Sequence, residues 1–325
     1  MNRHDILFVG MSSVVTRRVL PAVLGLKGVG AIHVASRRTY DPSAIPPERR
    51  GHYWNDYDTA LRECGPCLTY ISLPNAMHAP WVRTALDRGF HVIVDKPAVV
   101  GDFDEAEDLV QLAMSRSAVL AEASVWPWHP IADELRSLAS RADALPLVAI
   151  ATFTSPPMDP GNFRYSRRLG GGAILDRGSY AASCGRILFG VPPVDVSVSV
   201  ISATPGSDGV DLSLAAVLTY PRGALMCYFS IESEYQNRLE LIGRGFACSG
   251  ERVFTPPPDY SGIISVRERD EDRIVTVPMG DTFARFIQSV LDAIDHGDCT
   301  THSRMLREDA RVLGCLWAAA SGGDG

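Results

Sequence analysis

The sequence predicts an α/β domain with a doubly wound parallel sheet, followed by an α+β domain with an open, mostly antiparallel sheet. Short apolar runs alternate with amphipathic stretches over about the first 120 residues, which is typical of βαβ units. Longer strand-like runs with hairpin-like breaks dominate the rest of the chain. A length of 325 residues exceeds one ordinary hydrophobic core. We therefore predict a first domain over residues 1–122 and a second over residues 123–325.

The predicted elements follow in chain order. In the first domain, apolar runs predict strands over residues 6–9, 31–36, 68–73, 91–94 and 118–121. Helices are expected between them, and Pro21 should kink the first. In the second domain, strands are predicted over residues 147–154, 194–202, 212–220, 224–231, 238–242 and 263–269. Helices are predicted over residues 172–188, 282–294 and 303–319, and the C-terminal helix is expected to pack back on the first domain.

Composition argues against several classes of protein. Hydrophobic residues make up 46% and charged residues 21% of the chain, as in ordinary globular proteins. The net charge of −7 is spread along the chain, so we expect no nucleic-acid partner. No apolar run reaches the roughly 18 residues of a membrane span, and the first residues lack a signal-peptide core, so we expect a cytoplasmic protein without a membrane partner.

The positions of the cysteines in the sequence indicate structural roles for them. Cys64 and Cys67 enclose Gly65-Pro66, a spacing that thioredoxin-like redox proteins also have. A redox thiol needs a helix N-terminus to lower its pKa, whereas this pair follows a predicted helix over residues 57–63 and precedes a strand. The pattern therefore favours a turn. No grouping of histidine, cysteine and aspartate has the spacing of metal ligands, so no metal site is expected.

The turn after the first predicted strand retains part of a nucleotide-binding pattern. Rossmann-type domains have G-x-G-x-x-G here, and only Gly10 remains of the three glycines. Gly10 permits the tight turn, but Ser12 brings a side chain where a pyrophosphate needs close backbone approach. Amides and hydroxyls at such a turn still form an anion site, so Gly10, Met11, Ser12 and Ser13 are candidate cofactor contacts. A plain βα turn is the alternative.

The end of the second predicted strand favours NADP(H) over NAD(H). An NAD enzyme normally has a carboxylate there for the ribose 2′-hydroxyl, but this chain has Ser36, Arg37 and Arg38. Arginine binds phosphate through charge-assisted hydrogen bonds, which suits the 2′-phosphate of NADP(H). NAD(H) is retained as a second candidate, and a solvated loop is the alternative role of both arginines.

Four sequence strings resemble the Gfo/Idh/MocA oxidoreductases, the family of glucose-fructose oxidoreductase and inositol dehydrogenase. Residues 72–81, SLPNAMHAPW, resemble the family's T-P-N-x-x-H turn, and residues 95–97, DKP, resemble its E-K-P turn. Residues 128–130, WHP, resemble its R-F-H-P segment. Residues 170–180, GGGAILDRGSY, resemble its G-G-G-x-x-x-D-x-G-x-H/Y helix. The strings occur in the family's order and span nearly the whole chain.

The resemblance implies a Rossmann-type cofactor domain and an α+β domain for substrate binding and oligomerisation, in a homodimer or homotetramer. Cofactor contacts are expected at two turns, from Leu73, Pro74, Asn75, His78, Asp95, Lys96 and Pro97. His78 is expected to pack near the cofactor rather than to titrate. Substrate contacts are expected from Trp128, His129, Arg164, Tyr165, Arg168 and Asp176. A structural role for His129 is an equally good interpretation.

Two departures from the family pattern bear on function. Asp95 replaces the usual glutamate before Lys-Pro, which shortens that side chain by one methylene. Tyr180 occupies a position that is often histidine in inositol-type dehydrogenases. A tyrosine there is more similar to the C-3 ketoreductases of TDP-linked ketodeoxysugars in antibiotic pathways and to dimeric dihydrodiol-type members.

Lys96 and Tyr180 are the candidate catalytic pair. Hydride transfer to a carbonyl carbon requires a proton for the oxygen, and a lysine can lower the pKa of a nearby phenol from about 10 toward neutral pH. Only Lys27 and Lys96 are lysines among 31 basic residues, which favours a specific need for an amine at Lys96. Asp176 lies four residues before Tyr180 and is assigned to a substrate hydroxyl or to orienting Lys96, with a helix-start carboxylate as the alternative.

The leading functional hypothesis is ketoreduction of a nucleotide-linked ketodeoxysugar in secondary metabolism with NADP(H). Cations and an aromatic ring for a nucleotide diphosphate are supplied by Arg164, Tyr165, Arg167 and Arg168. An inositol or sugar dehydrogenase, an NAD-dependent lyase or glycosidase, and a non-catalytic nucleotide-binding protein are the alternatives, and the degraded glycine pattern favours the last.

Overall fold

The structure, a computed structural model, describes residues 3–38, 40–141, 144–206, 208–269 and 271–322. Internal contacts divide the chain into two compact units. The first unit comprises Met1–Ala123 with Phe283–Arg307, and the second comprises Ser124–Thr282 with Glu308–Gly325. The assignment of cofactor binding to one domain and substrate binding to the other stays a prediction.

The first unit contains a six-stranded parallel sheet. Its strands are β1 (His4–Val9), β2 (Val29–Ala35), β3 (Arg50–Trp54), β4 (Leu68–Ile71), β5 (His91–Val94) and β6 (Leu120–Glu122). The strand order is β3-β2-β1-β4-β5-β6 and every pairing is parallel. This order confirms the predicted Rossmann-type sheet. The connections reverse direction between β1 and β4, and ligands of doubly wound folds bind outside the carboxyl ends of the strands at such a point.

The four helices of this sheet are α1 (Leu20–Gly25), α2 (Tyr57–Glu63), α3 (His78–Asp87) and α4 (Glu105–Ser115). The kink expected at Pro21 takes the form of a π-helical segment, Val15–Val19, directly before α1. Proline has no N–H to donate to the carbonyl four residues earlier, so regular α-helical bonding cannot pass through this point.

Cys64 and Cys67 form a turn between α2 and β4. Cys64 is the C-cap of α2, and the two Sγ atoms lie 3.9 Å apart without a disulfide bond. The hydrogen bond between the thiols, together with burial, raises the pKa of Cys67. The C-terminal end of a helix disfavours a thiolate, which supports the interpretation of this motif as a structural turn.

The second unit contains an eight-stranded sheet. Its strands are β7 (Leu147–Thr154), β8 (Asp195–Ala203), β9 (Asp211–Tyr220), β10 (Gly223–Ser230), β11 (Gln236–Ile242), β12 (Phe246–Glu251), β13 (Gly262–Glu268) and β14 (Glu271–Val277). The order is β14-β13-β12-β11-β7-β10-β9-β8, and all pairings are antiparallel except that of β7 with β10. The predicted open, mostly antiparallel sheet is confirmed.

Four further helices complete the fold: α5 (Pro130–Ala139), α6 (Ala173–Phe189), α7 (Thr282–His296) and α8 (Thr301–Ser321). Helix α6 is buried along nearly its whole length and packs on β9 and β10. Within the second unit, α6 is also joined to α8, because Arg186 binds both carboxylate oxygens of Asp309, each at 2.9 Å. In the described part of the chain, no helix has the length and apolar character that crossing a membrane requires.

Replacing Arg186 with alanine should lower the free energy of unfolding by about 3–5 kcal/mol, because it leaves the carboxylate of Asp309 buried without its partner. Burial raises the pKa of Asp309, so this loss should grow as the pH rises from about 4 toward 7 and the carboxyl group must ionise. Urea unfolding at several pH values measures the loss. Arg116→Ala removes an exposed pair with Asp87 and should cost at most about 1 kcal/mol. Equal losses in both variants would contradict the assigned role of the buried pair.

Candidate active site

The chain leaves β1 through a turn at Gly10. This residue has a φ of 93°, a conformation that side chains rarely adopt. A Cβ atom at Gly10 would overlap the carbonyl oxygen of Ser72, which follows β4. The amide of Gly10 donates to the carbonyl of Ala35 at 2.9 Å. Glycine is therefore required here for backbone conformation and for close packing at the point where the sheet order reverses.

Ser12 occupies the position of the second glycine, and its hydroxyl binds within the protein. Its Oγ accepts hydrogen bonds from the amides of Val14 and Val15, both at 3.2 Å, and lies 2.8 Å from the Oγ of Ser72. Among the described residues, the amides of Met11 and Ser12 donate to no protein acceptor. Two N–H groups at the start of a helix fit the pyrophosphate of a dinucleotide, so the eroded glycine pattern still leaves an anion site.

The turn after β2 presents two exposed guanidinium groups, on Arg37 and Arg38. Arg37 lies over the ring of Tyr57, 4.8 Å from its centroid. The hydroxyl of Ser36 donates to the carbonyl of Arg38 at 2.7 Å and accepts from its amide at 3.2 Å, so Ser36 shapes the turn. Neither arginine forms an ion pair with a described carboxylate, and this pair of cations fits the 2′-phosphate of NADP(H).

Asp95 follows β5 and joins three turns of the first unit. Its carboxylate accepts a hydrogen bond from the hydroxyl of Tyr70 at 2.7 Å and another from the hydroxyl of Ser72. Because Ser72 also contacts Ser12, a chain of side chains connects the turns after β1, β4 and β5. Burial, together with the charge of Asp95, raises the pKa of Tyr70, which keeps its phenol protonated as a donor.

His78 connects the two turns that the resemblance implicates in cofactor binding. It is fully buried at the start of α3. Its Nε2 lies 2.8 Å from the carbonyl oxygen of Leu73, and its Nδ1 lies 2.7 Å from that of Pro97. In the same turn Pro74 is half-buried and Asn75 is buried. The imidazole thus fixes the backbone before Asn75 against the backbone after Lys96.

Lys96 lies in the turn after β5, and its side chain is half-buried. The peptide bond between Lys96 and Pro97 is cis. The carboxylate of Glu122, at the end of β6, accepts a hydrogen bond from the amide of Ala98 at 2.8 Å. The backbone on both sides of Lys96 is therefore held by buried or half-buried polar side chains, which restricts where the amine can reach.

In the second unit, three consecutive glycines lead into α6. A Cβ atom at Gly171 would overlap the carbonyl oxygen of Arg164, and one at Gly172 would overlap the carboxylate of Asp211. Asp211 also accepts a hydrogen bond from the amide of Ile174 at 2.6 Å, which caps α6. Glycine is therefore needed at both positions because other residues of the second unit pack closely against the backbone there. These contacts alone explain why Gly171 and Gly172 have no side chain.

The carboxylate of Asp176 lies between two arginines in the first turn of α6. Its Oδ1 is 2.9 Å from the Nε of Arg164, its Oδ2 is 3.2 Å from the Nε of Arg177, and the residue is 3% exposed. Arg177 stacks on Phe153, 3.9 Å from the ring centroid, and donates to the hydroxyl of Ser155. Two cations thus neutralise a buried acid. Contact of Asp176 with substrate or with Lys96 stays a prediction.

Tyr180 lies one helical turn after Asp176 and is 7% exposed. Its ring centroid is 5.0 Å from that of Phe153 and 5.2 Å from that of Phe254. Trp126 extends this aromatic cluster, 5.7 Å from Phe254. Apolar rings surround the phenol, so water has little access to the face of Tyr180 that they cover.

The remaining predicted substrate residues differ in their surroundings. His129 is fully buried, and its Nδ1 accepts a hydrogen bond from a backbone amide in the first turn of α5 at 3.1 Å, which supports the structural interpretation of this histidine. Trp128 is half-buried in the preceding turn. The hydroxyl of Tyr165 accepts from a backbone amide at 2.9 Å, and Arg168 is exposed. Within the described residues, no cluster of metal-binding side chains occurs.

Sequence reasoning missed the residues that hold these side chains in place. They are Tyr70, Ser72, Glu122, Arg177 and Asp211. Ser72 has a detectable signal, because it follows a buried strand at the carboxyl edge of the sheet. Glu122 and Asp211 have none, since their partners are backbone amides distant in sequence.

Comparison with known proteins gives matches in both units. Residues 5–124 match the model of an oxidoreductase family with an NAD-binding Rossmann fold, GFO/IDH/MocA, and residues 146–245 match the GFO/IDH/MocA C-terminal domain. The dTDP-3,4-didehydro-2,6-dideoxy-α-D-glucose 3-reductase of Actinomadura kijaniata is 28% identical over 306 residues, 93% of this chain and 90% of that protein. The enzyme of the same name from Streptomyces violaceoruber is 30% identical over 274 residues, 82% and 78% of the respective chains.

A solved structure extends the likeness to the fold. A tyrosine-to-phenylalanine variant of KijD10, a 3-ketoreductase from Actinomadura kijaniata, was crystallised with TDP-benzene and NADP. It is 25% identical to this chain, with a TM-score of 0.87 and coverage of 98% of both chains.

Replacing Gly10 with alanine should destabilise the first unit, because the new Cβ overlaps the carbonyl of Ser72 and alanine disfavours a φ of 93°. We expect a loss of at least about 1–3 kcal/mol in the free energy of unfolding, measured by denaturant titration. The matched control is Gly65→Ala, where the added Cβ meets no atom within 4 Å, and which should stay within about 0.5 kcal/mol of the unchanged protein. A Gly10 variant as stable as its control would show that this turn is not built as described.

Proposed function

This chain belongs to the Gfo/Idh/MocA family of oxidoreductases, and we propose that it reduces the 3-keto group of a nucleotide-linked ketodeoxysugar in secondary metabolism. The observation that carries the proposal is the extent of the likeness. Similarity to a dTDP-ketodeoxyglucose 3-reductase spans 93% of the chain, and similarity to the structure of a 3-ketoreductase with TDP-benzene and NADP spans 98%. A cytoplasmic location is part of the proposal, and seven free cysteines support it.

The cofactor is NADP(H), and the first unit is its Rossmann domain. In the proposal, the amides of Met11 and Ser12 bind the pyrophosphate, with Ser13 beside them. Arg37 and Arg38 bind the 2′-phosphate, which supports a preference over NAD(H).

Two side chains carry the chemistry in this proposal. A bound dihydronicotinamide supplies a hydride to the carbonyl carbon. Lys96 donates a hydrogen bond to the carbonyl oxygen and stabilises its developing negative charge. Tyr180 transfers its phenolic proton to the same oxygen, so that the carbonyl becomes an alcohol. The aromatic neighbours of Tyr180 limit competing water, and the paired carboxylate of Asp176 orients the first turns of α6.

Recognition of the nucleotide is assigned to the segment before α6. Arg168 is exposed and can bind a diphosphate, and Tyr165 and Trp128 are the aromatic residues assigned to the rest of the nucleotide. Arg164 is bound to Asp176, so its removal would also disturb that carboxylate. Arg168 is therefore the better single test of diphosphate binding, and its loss should raise KM rather than lower kcat.

We further propose a homodimer or homotetramer formed through the face of the eight-stranded sheet that points away from α6. Apolar side chains remain exposed on this face, with Met226 at 45%, Ile242 at 44%, Ile263 at 50% and Ile274 at 70%. Several exposed apolar side chains on one face of a sheet support the proposal of a protein interface there.

Replacing both Met226 and Ile242 with aspartate should dissociate the oligomer, because two charges would be buried at the interface. Sedimentation equilibrium should then report a mass near the 35.2 kDa of one chain. Met114→Asp alters an exposed apolar residue on α4 and should leave the mass of the assembly unchanged. Dissociation by the control variant alone, or a double variant of unchanged mass, would contradict the proposed interface.

Lys96→Ala should lower kcat by about 10² or more, because the developing oxyanion loses its donor. Tyr180→Phe should have an effect of similar size, because the proton donor is removed while the ring remains. Loss of NADPH absorbance with a TDP-linked 3-keto-dideoxysugar measures both rates. Lys27→Ala, at the only other lysine and on an exposed position, should retain full activity. A fully active Lys96 variant, or no hydride transfer by the unchanged protein to any keto sugar tested, would overturn the proposal.

A further inference from the structure

Both ring nitrogens of His78 face acceptors. The carbonyl oxygens of Leu73 and Pro97 lie 2.8 Å and 2.7 Å from Nε2 and Nδ1, and the side chain has no exposure to solvent. A neutral imidazole has one N–H and one lone pair, so it can donate to only one of these oxygens. Its other nitrogen would turn a lone pair toward a carbonyl oxygen at hydrogen-bond distance. Only the doubly protonated ring satisfies both contacts.

We infer that His78 acts as an imidazolium clamp, a positioning residue that holds the turn bearing Lys96 against the turn after β4. The inference rests on the proposed function for the role of Lys96, but the protonation state of the ring does not. Leu73 precedes Pro74 and Asn75, and Pro97 directly follows Lys96. The imidazole therefore adds a second side-chain connection between these two segments, beside the hydrogen bond of Ser72 to Asp95.

The surroundings of His78 act on the imidazolium in opposite directions, and on balance burial places the pKa of His78 below its ordinary value. Asp95 and Lys96 are the charged groups that act on His78, and the carboxylate of Asp95 favours the imidazolium whereas the ammonium of Lys96 opposes it. Burial lowers the pKa of His78, and the two carbonyl oxygens act against burial together with Asp95. The hydroxyls of Tyr70 and Ser72 hold the Asp95 carboxylate in place. The carboxylate that favours the imidazolium is thus fixed in position by hydrogen bonds of its own.

Deprotonation has a defined structural consequence. When the ring loses one proton, one of the two carbonyl oxygens loses its donor and faces a lone pair instead. The turn at Lys96 then becomes less constrained, so kcat should fall as the pH rises through the pKa that His78 has in the folded protein. Binding of NADPH should weaken less than kcat falls, because only the contacts expected at the two clamped turns loosen while the proposed phosphate contacts at Met11, Ser12, Arg37 and Arg38 remain.

Nitrogen NMR of the full-length protein tests the charge without any assay. The protein carries ¹⁵N-labelled histidine, and the signals of His78 are identified among eight histidines by their absence from His78→Gln. At about pH 5 both ring nitrogens should show imidazolium shifts. On raising the pH, one of them should change to the shift of an unprotonated nitrogen over the range in which kcat falls. A ring with one unprotonated nitrogen already at about pH 5 would overturn the clamp.

Kinetics of matched variants test the positioning role. His78→Gln can donate to only one carbonyl and should lower kcat by about 10- to 100-fold, with a much smaller change in the KM for NADPH. His302→Gln removes another buried histidine of the first unit and should lower stability without this loss in kcat. Equal effects of the two variants on kcat, or an effect of His78→Gln confined to stability, would refute a positioning role.

The two proposals fail in different ways. If no keto sugar is reduced but the ring of His78 is doubly protonated, the proposed substrate is wrong and the charged clamp stands. If the sugar is reduced with full dependence on Lys96 while the ring of His78 is neutral, the proposed function stands and the clamp is wrong.

Discussion

The hydrogen bonds of the Asp95 carboxylate hold together the carboxyl end of the first sheet, where we propose that the cofactor binds. A charged acceptor forms stronger hydrogen bonds than a neutral one, and here it binds the hydroxyls of Tyr70 and Ser72. Through Ser72 the same network reaches Ser12. Three separate turns are therefore tied to a single charge, at the place where a dinucleotide-binding fold must present its backbone amides accurately.

This network explains how the chain accommodates its incomplete glycine pattern. A glycine at position 12 would leave space for a phosphate but no side chain to connect the turns. The side chain of Ser12 fills that space. Its hydroxyl caps the following helix and lies within hydrogen-bond distance of the hydroxyl of Ser72. Gly10 has no such freedom, since both its φ and its contact with Ser72 exclude a side chain. Gly10 is thus the glycine of the pattern that could not be replaced without displacing the backbone.

In the second unit, carboxylates likewise hold the start of α6 in place. Asp176 is a buried carboxylate held by Arg164 and Arg177, and Asp211 caps the helix across the glycine run. The two acids fix the start of the helix on which Tyr180 lies. Each proposed catalytic side chain therefore lies near in sequence to a carboxylate that is held by hydrogen bonds or ion pairs within its own unit, which limits the conformations available to it.

The sequence predicted the elements with clear periodicity and missed those without it. Strands β7 and β5 have the predicted bounds, because their apolar runs are continuous and end sharply. The sequence does not predict β3, β12 and β14. β3 and β14 are strands at the sheet edges with few buried residues, and β12 is rich in small residues. Their pairing is decided by neighbouring strands rather than by their own composition.

The site residues show the same limit. Gly10, Lys96 and Tyr180 could be named as candidates because turn chemistry and motif spacing are local features of the sequence, and their functional roles stay predictions. The partners of His78 could not be found, since they are backbone carbonyls whose positions depend on the packing of α3 against the sheet. The hydrogen bond from the Ser36 hydroxyl to the backbone of Arg38 could likewise not be predicted from the sequence, because the shape of that turn depends on the residues around it.

Calorimetric titration with NADPH and NADH tests the central claim most directly. It asks whether the sheet edge that contains Asp95, Ser12 and the arginines after β2 binds a dinucleotide that carries a 2′-phosphate. The account predicts that the unchanged protein binds NADPH at least about tenfold more tightly than NADH, a difference of about 1.4 kcal/mol. In a protein with Arg37→Ala and Arg38→Ala, that preference should disappear while binding of NADH is retained. Equal affinity for both dinucleotides in the unchanged protein, or a preference that survives in the variant, would contradict it.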